Sequence, residues 1–380
     1  MPKILFVVTE DWYFCSHRLA LAVAARGQGY DVVVATRVLD HGAQIREAGL
    51  SLEPLNWQRR SLNPIAGIAA LGCLVRLYRH LRPDLVHHVA LKPVILGSMA
   101  AALAGRPRTV NALAGLGFVF ASASSRARLL RPVVRRLLAI LLGRGGARVI
   151  VQNPDDREFL VTRHMVAADR IHLIRGAGVD LQEFQPRPEP EGAVTVALVS
   201  RMLWDKGVGV LVEAARIVRR RGTNVTVTLA GIPDAASPNA VPEAQLRAWN
   251  HEGIVDWIGF CDDVPALWAR THVAALPSSY GEGVPKSLIE AAAAGRPIIA
   301  ADGPGLREIV RHGETGLLVP PGDAEALADA IEQLAGDADL RRRMGAAGRK
   351  LAEAEFGADL VIGETLALYR ELLGTPWPDG

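Results

Sequence analysis

The chain has 380 residues, a formal net charge of +3 and 49% apolar residues. This length favours two or three domains, and this apolar share is enough to fill globular cores. The three cysteines, Cys15, Cys73 and Cys261, are too widely spaced for a metal or redox motif and favour a reducing cytoplasm. The apolar run at 4–8 is too short for a signal peptide and predicts a buried strand. No uncharged stretch reaches the roughly 20 residues that cross a bilayer, so we expect no transmembrane helix.

The small net charge hides an asymmetry along the chain. Residues 1–185 contain 24 Lys and Arg against 13 Asp and Glu, whereas the remainder contains 19 against 27. A basic half followed by an acidic half indicates that one lobe meets an anionic surface.

Apolar strand-like runs alternate with helical stretches in the first half of the chain. In chain order we predict a strand at 3–9, a helix at 16–26, a strand at 31–36, a helix at 42–49, a strand at 85–88, a helix at 95–104 and a strand at 109–113. This alternation is typical of parallel βαβ units. A Gly/Pro-rich acidic stretch at 176–190 then predicts a linker.

The same pattern restarts after the linker. We predict strands at 194–200, 225–230, 254–260, 273–277 and 297–301, and helices at 207–219, 242–249 and 287–294. The fold class is therefore α/β, with two Rossmann-like doubly wound domains facing across a ligand cleft. We place these domains at 1–182 and 183–359, and expect a C-terminal helix at about 360–380 to pack back on the first.

Two glutamates eight positions apart, Glu282 and Glu290, mark the most informative segment. Glu282 lies in a Gly/Pro-bearing loop at the carboxyl end of a predicted strand, where open α/β sheets bind ligands. Glu290 lies inside the following helix. Helical spacing over all eight steps would separate them by roughly 12 Å, whereas the catalytic carboxyl pairs of glycosidases lie about 5–9.5 Å apart. Two separate hydrogen-bonding groups for one polyol or nucleotide is the better interpretation.

A basic turn links another predicted strand to its helix. Arg201 and Lys206 flank this turn, and Gly207 permits close backbone approach. With the helix N-terminus they suit a pyrophosphate, the alternative being a solvated basic turn. Gly231 and Phe260 lie in two further strand-end loops that could border a nucleobase, although ordinary turns and helix caps would look the same.

Candidate ligand contacts in the first lobe follow the ends of three predicted strands. They are His17 and Arg18, then His88 and Lys92, and finally Asn111, Gly115 and Gly117 in a glycine-bearing loop. Lys92 and the helix start after Pro93 could hold an anion. Histidines in such sequences are more often structural than catalytic, and a plain turn would resemble the glycine loop. Their position at strand ends favours ligand contact.

Seven arginines lie between Arg126 and Arg148, interleaved with Leu and Val. Such a basic amphipathic helix can lie on an anionic membrane surface. The alternative is a core helix with a charged, solvated face. We expect no nucleic-acid partner, because the chain has few aromatic residues and no DNA- or RNA-binding signature.

The motif Arg201, Lys206 and Gly207, together with Glu282 and Glu290, resembles the donor-binding signature of the family 4 retaining glycosyltransferases of the GT-B fold. In addition, the run from Lys92-Pro93 through Asn111 to Phe118 resembles a bacterial subgroup that extends undecaprenyl-diphosphate-linked sugars for O-antigen, capsule or protein glycosylation.

The resemblance implies roles for individual residues of this chain. Arg201 and Lys206 would neutralise the donor pyrophosphate, Glu290 would take the ribose hydroxyls, and Glu282 would bind hydroxyls of the transferred sugar. The rest of the expected donor contacts are Gly207, Gly231, Phe260, Gly283, Val284, Pro285 and Leu288. Many relatives have His at the position of Ala114 and a Gly-Gly pair within the region matching 9–15. This chain has neither, so His17 and Lys92 are the expected catalytic contacts of the first lobe.

The resulting hypothesis is metal-independent transfer of a hexose or N-acetylhexosamine, with retention, from a nucleoside-diphosphate sugar, by preference UDP-linked. No Asp-x-Asp motif stands where it would hold a divalent metal, and no cofactor is expected. The acceptor would be a polyprenyl-diphosphate-linked glycan at the inner face of the bacterial cytoplasmic membrane, to which the protein would bind peripherally. The alternatives are a sugar-nucleotide 2-epimerase on the same fold and a non-catalytic nucleotide-sugar-binding scaffold.

Overall fold

The computed structural model describes residues 1–57, 63–105, 107–115, 125–143 and 146–374, with the side chains of Pro64 and residues 125–130 excepted. These residues form two compact units. The first comprises the described residues of Met1–Gly178 and Ala358–Gly380, and the second comprises Val179–Gly357.

The first unit is built on a parallel sheet, as the βαβ pattern predicts. Its order is β3-β2-β1-β4-β5-β6-β7, and every pairing is parallel. The strands are β1 Lys3–Glu10, β2 Asp31–Arg37, β3 Ser51–Pro54, β4 Leu85–Val89, β5 Arg108–Leu113, β6 Arg148–Val151 and β7 Ile171–Leu173. The central strands are buried and rich in Val, Ile and Leu, as expected for parallel strands covered on both faces.

Helices cover the two faces of this sheet. They are α1 Asp11–His17, α2 Leu19–Gly27, α3 Gly42–Glu47, α4 Pro64–Leu81, α5 Leu91–Leu103, α6 Ser125–Leu142, α7 Pro154–Thr162 and α15 Ala358–Leu373. In the part of the chain that the structure describes, no helix has both the length and the apolarity needed to cross a bilayer.

The predicted helix at 16–26 is wrong in its start and its continuity. Helix α1 begins at Asp11, directly after β1, and the non-helical backbone of Arg18 (φ −133°, ψ −11°) separates it from α2. The buried carboxylate of Asp11 accepts backbone N–H bonds from Leu39 (2.7 Å) and His41 (2.9 Å). The first residue of α1 is therefore a buried carboxylate that holds a loop distant in sequence, and local periodicity does not reveal such a contact.

Helix α15 is attached to the first sheet through Tyr369. Its hydroxyl is hydrogen-bonded to Nδ1 of His87 on β4, and both side chains are buried. The His87 ring also stacks on Phe6 of β1 at 5.2 Å. Burial, with Arg18 and His88 nearby, holds the pKa of His87 well below its ordinary value. A neutral histidine therefore joins the last helix to the centre of the sheet.

The second unit repeats the architecture. Its parallel sheet has the order β10-β9-β8-β11-β12-β13. The strands are β8 Val194–Val199, β9 Val225–Ala230, β10 Asp256–Gly259, β11 Val273–Leu276, β12 Ile298–Ala301 and β13 Gly316–Val319. The helices are α8 Val208–Arg220, α9 Glu243–His251, α10 Val264–Ala269, α11 Lys286–Ala293, α12 Leu306–Ile309, α13 Ala324–Gly336 and α14 Ala338–Glu355.

The predicted linker at 176–190 enters the second unit as a pinned segment. The buried guanidinium of Arg341 binds both carboxylate oxygens of Glu189, at 3.0 and 2.9 Å. Arg349 donates to the carbonyl of Phe184 (2.7 Å), and Arg296 donates to that of Arg187 (3.0 Å). Hydrogen bonds from three arginine side chains thus fix this segment in place of the backbone hydrogen bonds of a helix or strand.

In both sheets the strand order reverses once, between β1 and β4 and between β8 and β11. Open parallel sheets bind ligands outside the carboxyl ends of the strands at such a reversal. The loops after these four strands are therefore where the side chains of a site are expected.

Candidate functional site

In the second unit, the loop after β8 approaches the end of β11 very closely. Gly207 has φ +75°, and a Cβ on it would lie 2.0 Å from the carbonyl oxygen of Pro277. Only glycine allows both this backbone and this approach. The α8 N-terminus, whose first N–H groups lack intrahelical partners, and the side chain of Lys206 are thereby held against the β11 loop.

Lys206 and Glu282 meet at this reversal point. The Nζ of Lys206 lies 2.6 Å from Oε1 of Glu282, and their side chains are 13% and 11% exposed. Ser278, which follows β11, donates its hydroxyl to the same oxygen at 2.6 Å. The backbone N–H of Glu282 donates to the carbonyl of Pro304 (3.1 Å). A cation and a carboxylate are thus fixed side by side, with little solvent to screen them.

Arg201, the other cation of the predicted pyrophosphate site, is also paired. Its Nη1 lies 2.5 Å from Oδ2 of Asp234 in the loop after β9. That loop is fixed to the β8 loop by backbone bonds, in which Met202 N donates to Ile232 O and Val241 N donates to Met202 O, each at 3.0 Å.

Glu290 lies on the buried face of α11, one turn into the helix and eight residues after Glu282. It pairs with Lys286 at 3.4 Å, one helical turn earlier. Burial raises the pKa of the Glu290 carboxyl to about 7, and the charge and hydrogen bond of Lys286 oppose that shift. Near neutral pH this carboxyl can therefore either donate or accept a hydrogen bond, which suits a hydroxyl partner.

The remaining predicted donor contacts occupy different environments. Phe260, at the end of β10, is 66% exposed, whereas Val284 and Leu288 are buried in the apolar core. Gly231 (φ +140°) donates its N–H to the carbonyl of Gly259 at 2.6 Å. Gly283 and Pro285 form the turn into α11. The carbonyl oxygen of Gly283 lies so close to Gly305 that a Cβ on Gly305 would overlap it, and Pro285 is the residue before the helix.

Three residues of this region were not predicted from the sequence. Ser278 and Lys286 each lie within eight residues of a predicted glutamate, and a polar residue directly after a buried strand was a usable signal for Ser278. Asp234 had no such signal, since its contact with Arg201 spans 33 positions.

In the first unit, His17 lies at the end of α1, after β1. Its ring stacks on Tyr13 at 4.1 Å between centroids, and Ser16 bonds to its Nδ1. Arg18, predicted beside it as an acceptor contact, is 5% exposed and donates weakly to the carbonyl of His17.

His88 and Asn111 lie on neighbouring strands and form a buried network. Nδ1 of His88 is 2.7 Å from Oδ1 of Asn111, and its Nε2 is 2.9 Å from the hydroxyl of Tyr78. Both side chains have no exposed surface. Burial lowers the pKa of His88 to about 4, against the effect of the Asn111 bond. The network accounts for these residues as core structure, and their contact with an acceptor stays a prediction.

Lys92 lies in the first turn of α5, directly after β4. Burial lowers its pKa below the ordinary value, while the carboxylate of Glu10, at the end of β1, opposes that shift. Ala90 before it has φ +75° and ψ 162°, a conformation almost confined to glycine. The structure thus brings Lys92 near Glu10 at the β1–β4 reversal. Gly115 follows β5 with φ +84°, and Gly117 lies outside the described residues.

Comparison with known proteins identifies this pair of units. The model of the family "Glycosyl transferases group 1" matches residues 180–351, and that of "Glycosyl transferase 4-like" matches residues 3–152. The chain belongs to the GT-B glycosyltransferases. The first match includes Arg201, Lys206, Glu282 and Glu290 of the glycosyltransferase.

Several similar proteins match the glycosyltransferase over nearly its whole length. The N,N'-diacetylbacillosaminyl-diphospho-undecaprenol alpha-1,3-N-acetylgalactosaminyltransferase of Campylobacter jejuni is 24% identical over 370 residues, which is 94% of this chain and 95% of that enzyme. The structure of Anabaena Alr3699/HepE with UDP and glucose has a TM-score of 0.79 at 20% identity, covering 97% of this chain and 99% of that one. Sucrose-phosphate synthase of Thermosynechococcus elongatus has a TM-score of 0.81 at 22% identity, covering 98% and 100%. These structural likenesses confirm the predicted α/β fold of the glycosyltransferase.

Proposed function

We propose that this glycosyltransferase moves a hexose or N-acetylhexosamine, with retention, from a nucleoside-diphosphate sugar to a polyprenyl-diphosphate-linked sugar. The observation that carries the proposal is the 2.6 Å contact between Lys206 and Glu282 at the β8–β11 reversal. A sugar nucleotide contains an anionic diphosphate joined to a sugar with several hydroxyl groups. The cation suits the diphosphate, and the adjacent carboxylate suits the sugar hydroxyls. UDP is the preferred nucleotide.

Departure of the diphosphate builds negative charge on its terminal phosphate. In this proposal Arg201, Lys206 and the N–H groups that start α8 stabilise that charge. Fixed charges of this kind are usually the largest catalytic contribution. Glu290 takes the ribose hydroxyls, and Glu282 orients the transferred sugar. Retention then follows from attack by the acceptor on the same face, with the leaving phosphate accepting its proton and no metal required.

The acceptor side of the proposal rests on the first unit and on the printed activity of the Campylobacter relative, which acts on an undecaprenol-linked sugar. His17 and Lys92 follow β1 and β4, and in this proposal the ammonium group of Lys92 binds the acceptor diphosphate. Arg18, His88, Asn111, Gly115 and Gly117 complete the proposed acceptor contacts.

We test the reaction with purified protein and a panel of UDP-, GDP- and dTDP-sugars in EDTA, with and without a short polyprenyl-diphosphate sugar. Release of one nucleoside diphosphate that rises with the lipid acceptor and survives EDTA supports the proposal, and the anomeric configuration of the product tests retention. An altered sugar nucleotide without diphosphate release would instead indicate an epimerase. Nucleotide binding without any turnover would indicate a scaffold.

Glu282→Gln is expected to lower kcat/KM for transfer about 100-fold, because it removes the charge that orients the sugar but keeps an acceptor for Ser278. The matched control is Glu353→Gln, which removes the carboxylate paired with Arg349 at 2.6 Å on α14. Initial rates with the donor that the panel of sugar nucleotides identifies measure the effect. Equal activity of the two variants would contradict the role of Glu282.

We also propose that the first unit binds the inner face of the cytoplasmic membrane through α6. Arg135 and Arg136 on this helix are exposed, together with Val133 and Ile140. Exposed cationic and apolar side chains on one helix are what binding to an anionic bilayer requires.

Reversal of two charges, R135E with R136E, is expected to weaken vesicle binding at least about 30-fold, since each surface arginine contributes about 1 kcal/mol. Co-sedimentation with vesicles containing phosphatidylglycerol measures this. The control is R342E with R343E, an adjacent exposed pair on α14 of the second unit. Binding lost equally in both would mean that net charge, rather than α6, determines the attachment.

A further inference from the structure

Both cations assigned to the diphosphate are neutralised by carboxylates of the same unit. Lys206 is held by Glu282 and Arg201 by Asp234, at 2.6 and 2.5 Å. Glu282 has a task in the proposed reaction, namely orientation of the sugar. Asp234 has none, although its side chain is only 15% exposed and lies against the guanidinium that should receive the donor.

The position of Asp234 is built into the fold. Its loop runs antiparallel to the β8 loop, with Leu203 paired to Ala240. The side-chain amide of Asn239 donates to Asp205 at 2.5 Å, which adds a further tie between the two loops. Asp234 itself closes a short turn, since its Oδ1 accepts the N–H of Ala236 at 3.2 Å. These contacts fix the loop, so the Asp234 carboxylate has a defined position next to Arg201.

A carboxylate at this position repels any phosphate that approaches Arg201 and competes with it for the same N–H donors. The repulsion grows with the charge of the ligand. In the intact sugar nucleotide each phosphate is a diester with about one negative charge. In the released nucleoside diphosphate the terminal phosphate carries about 1.5 to 2. The carboxylate thus disfavours the product more than the donor.

We infer that Asp234 is a positioning residue that competes with the diphosphate for Arg201 and thereby favours release of the nucleoside diphosphate over retention of it. The inference rests on the proposed function, because it takes Arg201 as a diphosphate ligand. It adds a means by which the site holds its donor without being blocked by its product.

Asp234→Asn isolates the charge, because the amide oxygen can still accept the N–H of Ala236. We expect the dissociation constant of the nucleoside diphosphate to fall about tenfold and that of the intact sugar nucleotide about threefold, since one charge near an arginine that is 31% exposed is partly screened. The inhibition constant of the released nucleoside diphosphate should fall by the same factor as its dissociation constant. Asp234→Glu, which restores the charge, should return the ratio of the two constants toward the wild-type value.

Titration calorimetry at low and high salt, with UDP, GDP and dTDP and their sugar conjugates, provides the test. The control is Asp339→Asn, which removes the partner of Arg342 in an exposed pair on α14. An unchanged ratio of product to donor affinity in Asp234→Asn, or weaker binding of both, would overturn the inference while leaving the proposed function standing. If the wild-type protein binds no nucleoside diphosphate, the proposed function fails and the inference fails with it.

Discussion

Lys206→Met is expected to lower kcat about 1000-fold while the protein stays folded. The ammonium group of Lys206 lies at the β8–β11 reversal, 2.6 Å from Glu282, with its side chain 13% exposed. Charge that develops on the leaving diphosphate is stabilised there by a group that needs no rearrangement and is little screened. Loss of one such preorganised group typically costs a factor of 100 to 1000. Methionine retains the shape of the side chain, so packing changes little.

Initial rates and circular dichroism of Lys206→Met decide this prediction. Lys206→Arg should recover part of the rate, since it restores the charge but not the geometry of the ammonium group. The matched control is Lys350→Met, an exposed lysine on α14, which should keep full activity. A loss smaller than tenfold in folded Lys206→Met would mean that the diphosphate is stabilised elsewhere.

The local part of the donor site could be predicted from the sequence. Glu282 and Glu290 lie in one strand–loop–helix segment, so their loop and helix positions follow from spacing alone. The structure has this helix at Lys286–Ala293, one residue from the predicted 287–294. Short-range periodicity also places Arg201 and Lys206 in the turn between β8 and α8, because a glycine and an apolar stripe mark the start of that helix.

The pairing of charges could not be predicted, because it depends on contacts distant in sequence. Lys206 and Glu282 are 76 positions apart, and His88 meets Asn111 across 23. The sequence suggested His88 as an acceptor contact from its strand-end position, and only the sheet register reveals that its ring is buried. Strands β3, β6, β7 and β13 were missed for a different reason: β7 has three residues and the others have four, which is too short for a periodic signal.

The glycine at position 97 is another residue whose role depends on a contact with a different element. The predicted helix at 95–104 includes this position without accounting for a glycine, but a Cβ there would lie 2.3 Å from the His88 ring. The glycine therefore lets α5 lie directly on the buried histidine of β4. The reason for a glycine here is a contact with a residue nine positions away on another element.

Glu290→Gln is expected to make the protein more stable than the wild type at pH 8, by about 3 kcal/mol. Burial raises the pKa of Glu290 from an ordinary 4.5 to about 7 in the folded state. Between these values the folded protein binds more protons than the unfolded chain, so the wild-type free energy of unfolding falls as the pH rises from about 4.5 to 7. Above pH 7 it becomes constant, because both states are ionised. Glutamine is neutral throughout and escapes this loss, and the Lys286 left behind is 34% exposed and can be hydrated.

Urea unfolding of both proteins at intervals from pH 4.5 to 8 measures the effect, which should vanish at the acid end and be complete by pH 8. The control is Glu243→Gln, whose carboxylate forms an equivalent pair with Arg247 four residues later but is 54% exposed; it should show no such pH dependence. Parallel curves for wild type and Glu290→Gln would mean that the carboxylate is charged at no cost in the folded protein. Glu290 would then forfeit no stability at neutral pH. If the cost is found, saturating donor should reduce it, because ribose hydroxyls would add hydrogen bonds to the one that Lys286 gives this buried carboxyl.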